Sequence, residues 1–348
     1  TQRQIKSKVQ TEDIAKIYEA YESLKKQERA LDFEDLLLLT TAMIENEPQV
    51  REKIHDQYRY FTVDEYQDIS PLQQRLIDAW LGKRDDICVV GDPAQTIYSF
   101  AGATPSYLLG FTNRFPEAEV IRLSTGYRST PEILFTANAV LRSNRMGHEL
   151  APVNDHGAQP ILTEYNTDGQ EAVGVTNQIT DLISRGERPE SIAVLARTNA
   201  QLATIQKSFK EAGLPYQIRS NERFFDRAEI REFIRDIRQA SVIPNPDISW
   251  VEELRGLAQP YFSDVNGSGM DGIGALVHLA RELDADDKFQ PKTLRNFLGE
   301  IEDRAQQNNP PQMPVTTLST LHAAKGLEWD RVFLIGIGEG YLPYPDAP

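Results

Sequence analysis

The sequence contains one cysteine, Cys88, in 348 residues. An internal disulfide is therefore impossible, zinc-finger and thiol-redox architectures are excluded, and a cytoplasmic setting is expected. No stretch reaches the roughly 18 uncharged apolar residues that span a bilayer, so no membrane partner is expected. The opening TQRQIKSKVQ lacks the apolar core of a signal peptide. No G-x-G-x-x-G follows a strand-like run, which discards a metabolic Rossmann enzyme. Positive charge is also scarce: 37 basic residues face 52 acidic ones, a net charge of −15. Taken alone, that balance argues against a nucleic-acid partner, because phosphate contacts need a basic surface. Net charge is an average, however, and a narrow basic or aromatic groove can sit in an acidic protein.

What is present is an ordinary globular composition, 40% apolar and 26% charged. Its length suits about two domains. Residues 11–46 read as helices, with Ile14, Ile17, Tyr18, Tyr21 and Leu24 at helical spacing. Short apolar runs read as buried strands at Tyr60–Val63, Ile87–Val90, Val120–Leu123, Ile192–Ala196 and Arg331–Ile335. Most lead into a polar loop and then a helical pattern. The alternation predicts an α/β fold whose parallel sheets are flanked by helices and whose functional loops lie at strand C-termini. Two breakers interrupt the rhythm. Pro244, Pro246 and Pro260 with Gly267, Gly269, Gly272 and Gly274 read as loop or inserted structure, and Asn308–Pro314 follows a helical stretch at 276–307. Residues 243–311 thus look like a mostly helical insertion.

Four segments carry chemistry. In Val63-Asp64-Glu65-Tyr66-Gln67-Asp68, two adjacent carboxylates end a strand. One can serve Mg²⁺ and the next can orient or deprotonate a water; a bare Asp-Glu pair is more often a solvated acidic turn. In Gly91-Asp92-Pro93-Ala94-Gln95, Gly91 permits a tight exit from the strand, and Gln95 can contact a terminal phosphate and report its loss. Tyr98 and Phe100 stand two apart, so in an extended segment they face the same way and can stack on bases; as a pair they also fit a core. In Ser124-Thr125-Gly126-Tyr127-Arg128-Ser129-Thr130, Arg128 can neutralise a phosphate and Tyr127 can stack on a base, while the plain alternative is a surface turn capped by Thr130 before Pro131. In Leu318–Trp329, His322, Lys325 and Glu328 are spaced by three, which in a helical turn makes one face.

Order and wording together resemble motifs II, III, IV and V of the UvrD/PcrA/Rep group of superfamily 1 DNA helicases. Leu31-Asp32-Phe33-Glu34-Asp35-Leu36-Leu37, Ile192–Asn199 and Gly213–Tyr216 with Phe224, Phe225, Glu229 and Ile230 add to the resemblance, which covers nearly the whole chain except 243–311. It implies two RecA-like domains, 1A and 2A, with insertions 1B and 2B, and ATP bound between 1A and 2A. Residues 1–57 would be the end of helical 1B and the return into 1A. Residues 58–117 would be part of 1A, 118–242 and 312–348 would be 2A, and 243–311 a short 2B. By motif position, Asp64 is implied to serve Mg²⁺ and Glu65 to activate water. Gln95 and Arg128 would contact the γ-phosphate, Tyr127 would stack on adenine, and Glu328 would bind the ribose. Tyr98 and Phe100 would stack on DNA bases, with Thr320 and His322 near the strand. The implied activity is ATP-dependent, 3′-to-5′ helicase or translocase action on single-stranded DNA, or on duplex with a single-stranded tail, in repair and with repair proteins as further partners.

The sequence departs from that pattern. G-x-x-x-x-G-K-[ST] is absent: Gly82-Lys83 is followed by Arg84, and Ile77 holds the first glycine's place. Motif VI is absent as well. The sequence therefore reads as a piece of a longer helicase, catalytically incomplete alone. Ala101 replaces a common arginine, and Gly126 a common asparagine, which is expected to loosen that loop. A helicase–nuclease subunit would need a carboxylate-rich nuclease domain, and none is visible. An alternative of another class is an ATPase-dead protein that binds single strands or partner proteins; retention of Asp64, Glu65, Gln95 and Arg128 argues against it.

Overall fold

The computed structural model describes residues 11–144, 147–219, 224–242, 247–262, 268–307, 309–311 and 313–342. The first ten residues, and Pro244, Pro246 and Gly267 among the expected breakers, lie outside that set. The chain divides into two compact units, Thr1–Ile161 and Leu162–Pro348.

The first unit opens with α1 (Thr11–Glu28), α2 (Phe33–Asn46) and α3 (Pro48–Gln57). Then β1 (Phe61–Val63), α4 (Pro71–Leu81) and β2 (Ile87–Val89) make a parallel crossover, with Phe61 opposite Ile87 and Val63 opposite Val89. Its end holds α5 (Ser106–Leu109), α6 (Phe111–Arg114), β3 (Thr125–Gly126), α7 (Pro131–Asn144) and β4 (Ala151–Pro152). Tyr66, Ile69 and Ile77 form a small core under β1 and β2. The strand expected at Val120–Leu123 does not form. Val120, Ile121 and Leu123 are exposed and make no ladder; pairing begins only at Thr125, opposite Ala151. An apolar run becomes a strand only where a neighbouring backbone accepts it.

Between α1 and α2 the chain turns around a buried ammonium. Lys25 Nζ lies 2.8 Å from carboxylate oxygens of Glu22, Asp32 and Asp35. Asp32 is also the N-cap of α2 in a reciprocal box with Asp35, and it accepts the Tyr21 hydroxyl at 2.8 Å. Three carboxylates so close could gather a metal ion, but Lys25 already supplies the positive charge at their centre. Burial opposes the Lys25 charge, yet bonds to Asp32, Asp35 and Glu22 outweigh it and hold its pKa above the lysine norm. The Lys25 bond, then the Asp35 amide and Tyr21, hold Asp32 well below the carboxylate range.

The second unit contains α8 (Asp168–Ser184), β5 (Ile192–Ala196), α9 (Asn199–Glu211), β6 (Tyr216–Arg219) and α10 (Ala228–Ala240). It continues with α11 (Trp250–Phe262), α12 (Ser268–Ala285), α13 (Leu294–Gln306), β7 (Thr316–Thr320) and β8 (Arg331–Leu334). The sheet is parallel, in the order β6-β7-β5-β8. All of β5 is buried, which explains its unbroken apolar sequence. Ile192, Val194 and Ala196 pack in a core with residues of α8 and α9, while Ala193 and Leu195 pack with Ala324, Leu321 and Trp329. A second core joins α10 to α13 through Phe233, Leu254, Leu276 and Phe297. The glycines at 272 and 274 thus stand inside a helix rather than a loop. A Cβ on Gly272 would lie 2.7 Å from Ile230 Cδ1, so the glycine admits α10 closely. Pro260 is likewise within α11. No helix of the described residues is long and apolar enough to cross a membrane.

The Lys25 clasp sets a pH window. The Lys25 contribution to stability is complete below the ordinary pKa of 10.5 and fades as pH rises beyond it; the Asp32 contribution is complete above 3.8 and fades as pH falls below. Lys25→Met should therefore lower the melting temperature at pH 7, and the gap to the parent protein should narrow in acid, as differential scanning calorimetry at pH 7 and pH 3 would show.

Candidate functional site

At the end of β1 the chain turns sharply. Glu65 adopts a left-handed conformation (φ 52°, ψ 39°), which costs a non-glycine residue roughly 1–2 kcal/mol. Its amide donates to Asp64 Oδ1 at 2.8 Å, and a 3-10 turn follows over Tyr66–Asp68. Both carboxylates are exposed, whereas Tyr66 and Gln67 are buried. Tyr66 anchors the turn: its amide donates to the Val90 carbonyl, and its hydroxyl donates to Gln74 at 2.6 Å.

Gln67 links the two strand ends. Its Nε2 donates to Glu65 Oε2 at 2.5 Å, and its Oε1 accepts the Asp92 amide at 3.1 Å. The Asp92 carboxylate in turn accepts the Ala94 amide at 2.9 Å and Gln95 Nε2 at 2.9 Å. Asp64, Glu65 and Gln95 are thereby brought into one hydrogen-bonded relay. Gly91 is required by this contact rather than by its dihedral angles. A Cβ there would sit 2.4 Å from Gln67 Oε1 and 3.2 Å from the Tyr66 amide nitrogen.

Beyond Gln95 the backbone does not stay extended. Ser99–Ala101 forms a 3-10 turn, closed by Gly102 in the left-handed region (φ 93°). Tyr98 and Phe100 consequently do not project in parallel. Their rings meet edge to face, with centroids 6.2 Å apart, and Phe100 is 74% exposed.

Tyr127 and Arg128 are both exposed on a loop whose far side is tied down. Asn154 Nδ2 donates to the Tyr127 carbonyl at 2.8 Å. Glu132, in the first turn of α7, accepts the Gly157 amide at 2.9 Å and contacts His156 Nδ1 at 2.7 Å. The Gly157 amide first, then His156, pull the Glu132 pKa down to about 2. Gly126 does not loosen the loop: it is buried, and a Cβ would lie 2.8 Å from Leu134 Cδ1. The expected Thr130 cap is not made either. Its hydroxyl is buried without a hydrogen-bond partner among the described residues.

In the second unit, β7 ends at Thr320, whose Oγ1 accepts the Ala323 amide at 3.3 Å. Hydrogen-bonded turns carry the chain to Gly326, which is left-handed (φ 81°). His322, Lys325 and Glu328 therefore do not share a helical face, because Gly326 reverses the backbone before Glu328. Arg197, just past β5, brings Nη1 within 3.4 Å of His322 Nδ1.

Residues 1–116 match the model of the UvrD/REP helicase N-terminal domain, and residues 121–250 and 262–346 match that of the UvrD-like helicase C-terminal domain. The chain belongs to the UvrD-like helicase family. It is 41% identical over 347 residues to the ATP-dependent DNA helicase UvrD2 of Mycobacterium tuberculosis, covering 96% of this chain and 49% of that protein. It is 30% identical to the ATP-dependent DNA helicase PcrA of Bacillus subtilis, covering 95% of this chain and 56% of that one. The chain spans about half the length of the curated relatives it matches.

Gln67, Asp92, Asn154 and Arg197 are the site residues that sequence reasoning passed over. For Gln67 and Asp92 the signal was their place inside the two strand-end segments, and for Arg197 its place inside Ile192–Asn199; Asn154 carried no pattern of its own.

Gly91→Ala should destabilise the first unit by about 1–3 kcal/mol, the usual range for overpacking, and should break the Gln67–Asp92 bond. Chemical denaturation together with the chemical shift of the Asp92 amide checks both. The Glu132 contribution to stability is complete above the ordinary value of 4.5 and is lost as pH falls towards about 2. Carboxyl-carbon NMR titration should place its midpoint near the lower figure.

Proposed function

We propose that this chain works within an ATP-dependent motor on single-stranded DNA, a helicase or translocase moving 3′ to 5′ and serving DNA repair in the cytoplasm. The observation that supports this most is the relay Glu65–Gln67–Asp92–Gln95. It ties the carboxylate pair to the segment carrying Tyr98 and Phe100, so an event at one has a covalent and hydrogen-bonded route to the other.

In this reading Glu65 takes a proton from the attacking water, and its hydrogen bond from Gln67 fixes the orientation of the carboxylate. Asp64 suits Mg²⁺: one oxygen accepts the Glu65 amide, and its exposed carboxylate is the hard oxygen donor that this ion prefers. When bound with ATP, Mg²⁺ neutralises charge on the phosphates. Gln95 exchanges its bond to Asp92 for the γ-phosphate, and the shift of its 3-10 turn passes to Tyr98 and Phe100. Arg128 adds positive charge at the γ-phosphate, Tyr127 stacks on adenine from its buttressed loop, and Glu328 binds the ribose. Tyr98 and Phe100 offer rings to DNA bases, with Thr320 and His322 along the strand. Residues 58–117 would belong to 1A, 118–242 and 312–348 to 2A, and 243–311 to a short 2B. The remaining fit is partial, since these 348 residues contain no G-x-x-x-x-G-K-[ST] to cradle the triphosphate.

Two assays on this chain test the reading. A fluorescein-labelled oligodeoxythymidylate should bind in an anisotropy titration, and Phe100→Ala should weaken it about 5- to 150-fold, the loss of one stacked base. Single-strand-stimulated ATPase should not exceed that of the Glu65→Gln control, because the triphosphate cradle is absent from the sequence. An oligonucleotide that fails to bind would overturn the proposal, and ATP turnover lost in Glu65→Gln would overturn the inference of an incomplete site.

A further inference from the structure

Four parallel strands end at the same edge of the second unit's sheet. β6 finishes at Arg219, which lies in register with Ser319, the residue before Thr320. On this side of β6 and β7 the sheet is polar. Gln217 Nε2 donates to Thr317 Oγ1 at 3.0 Å, Ser319 Oγ donates to the Arg219 carbonyl at 3.4 Å, and both Thr317 and Ser319 are buried. One strand further along, Arg197 reaches His322. Two arginines, Arg219 and Arg197, thus flank the end of β7 in a protein whose net charge is −15.

Arg219 differs from its neighbours. Its guanidinium is half-buried and has no hydrogen bond or ion pair among the described residues. Among the described residues, the charged group acting on it is another cation, Arg227. Arg227 itself is occupied: Nη2 donates to the Ile218 carbonyl at 3.1 Å, and its guanidinium lies 5.8 Å from the Phe224 ring centre. The nearby Asp226 carboxylate is held by Arg231 at 3.0 Å. Burial first, and Arg227 second, disfavour the Arg219 charge, yet arginine does not give up its proton in proteins. A partly desolvated charge of this kind is costly until an anion meets it. A guanidinium fork fits two phosphate oxygens.

We infer that Arg219 binds a backbone phosphate of the single strand as it passes Thr320 and His322 at the ends of β6 and β7. This rests on the single-strand reading proposed above. It assigns Arg219 a positioning role that base stacking does not supply: phosphate contacts fix register along the strand, whereas stacked rings tolerate any base.

The test is the salt dependence of oligodeoxythymidylate binding, measured by anisotropy from low to moderate KCl on the whole chain. Losing one phosphate contact should reduce the slope of log K against log salt by about 0.7 in Arg219→Ala. Low-salt affinity should fall roughly 10- to 150-fold, the range of a charge-assisted hydrogen bond. Arg219→Gln should behave like Arg219→Ala. Arg219→Lys should keep the parent slope, since it keeps the charge, while Phe100→Ala should weaken binding with the slope unchanged. Binding by the parent chain with an unaltered slope in Arg219→Ala overturns this inference and leaves the single-strand reading standing. No binding by the parent chain overturns both. Loss of a cooperative thermal transition in both the Ala and Gln variants would make Arg219 a structural residue and overturn the inference as well.

Discussion

The first unit's site depends on one neutral amide. Gln67 is almost wholly buried, and each end of its side chain is engaged, the nitrogen by Glu65 and the oxygen by the Asp92 amide. A buried amide is tolerated only when its donors and acceptors are met, so this group fixes the separation of two strand ends that short β-pairing alone would hold weakly. β1 and β2 pair over three residues each. The turn that exposes Glu65 is strained, and Tyr66 and Gln67 are the residues that hold it in place.

Much of the sheet was legible in the sequence. The runs at Ile87, Ile192 and Arg331 became strands because they are apolar, although only the Ile192 run is covered on both faces, with Cys88, Val332 and Leu334 left exposed. β7 was missed for the opposite reason. Thr316-Thr317-Leu318-Ser319-Thr320 has one aliphatic residue, and hydrophobic periodicity finds no strand there. Its burial is made possible in part by the Gln217–Thr317 bond to β6, a partner 100 positions earlier in the chain. Val120–Leu123 shows the converse error, since apolar character without a pairing neighbour left it outside any ladder.

The candidate site divides along similar lines. Carboxylates at a strand end, a glutamine after Gly91-Asp92-Pro93 and the Tyr-Arg pair stood out because their residue types are chemically uncommon together. The supporting groups did not. Asn154 acts on Tyr127 from 27 positions away, and Gln67 is a common residue whose importance comes from what it touches. Local patterns also misled where a glycine intervened. Gly326 undid the three-residue spacing of His322, Lys325 and Glu328, and Gly102 closes the turn that tips Phe100 against Tyr98.

Cys88 has so far counted only as a reason to exclude disulfides. It is also exposed, and it lies in β2 opposite Thr62, three residues before the glycine against which Gln67 packs. A maleimide dye would therefore attach at a single position without any engineering. The sequence thus carries its own optical handle beside the Glu65–Gln95 relay, and a shift of β2 relative to β1 would change the environment of a fluorophore placed there.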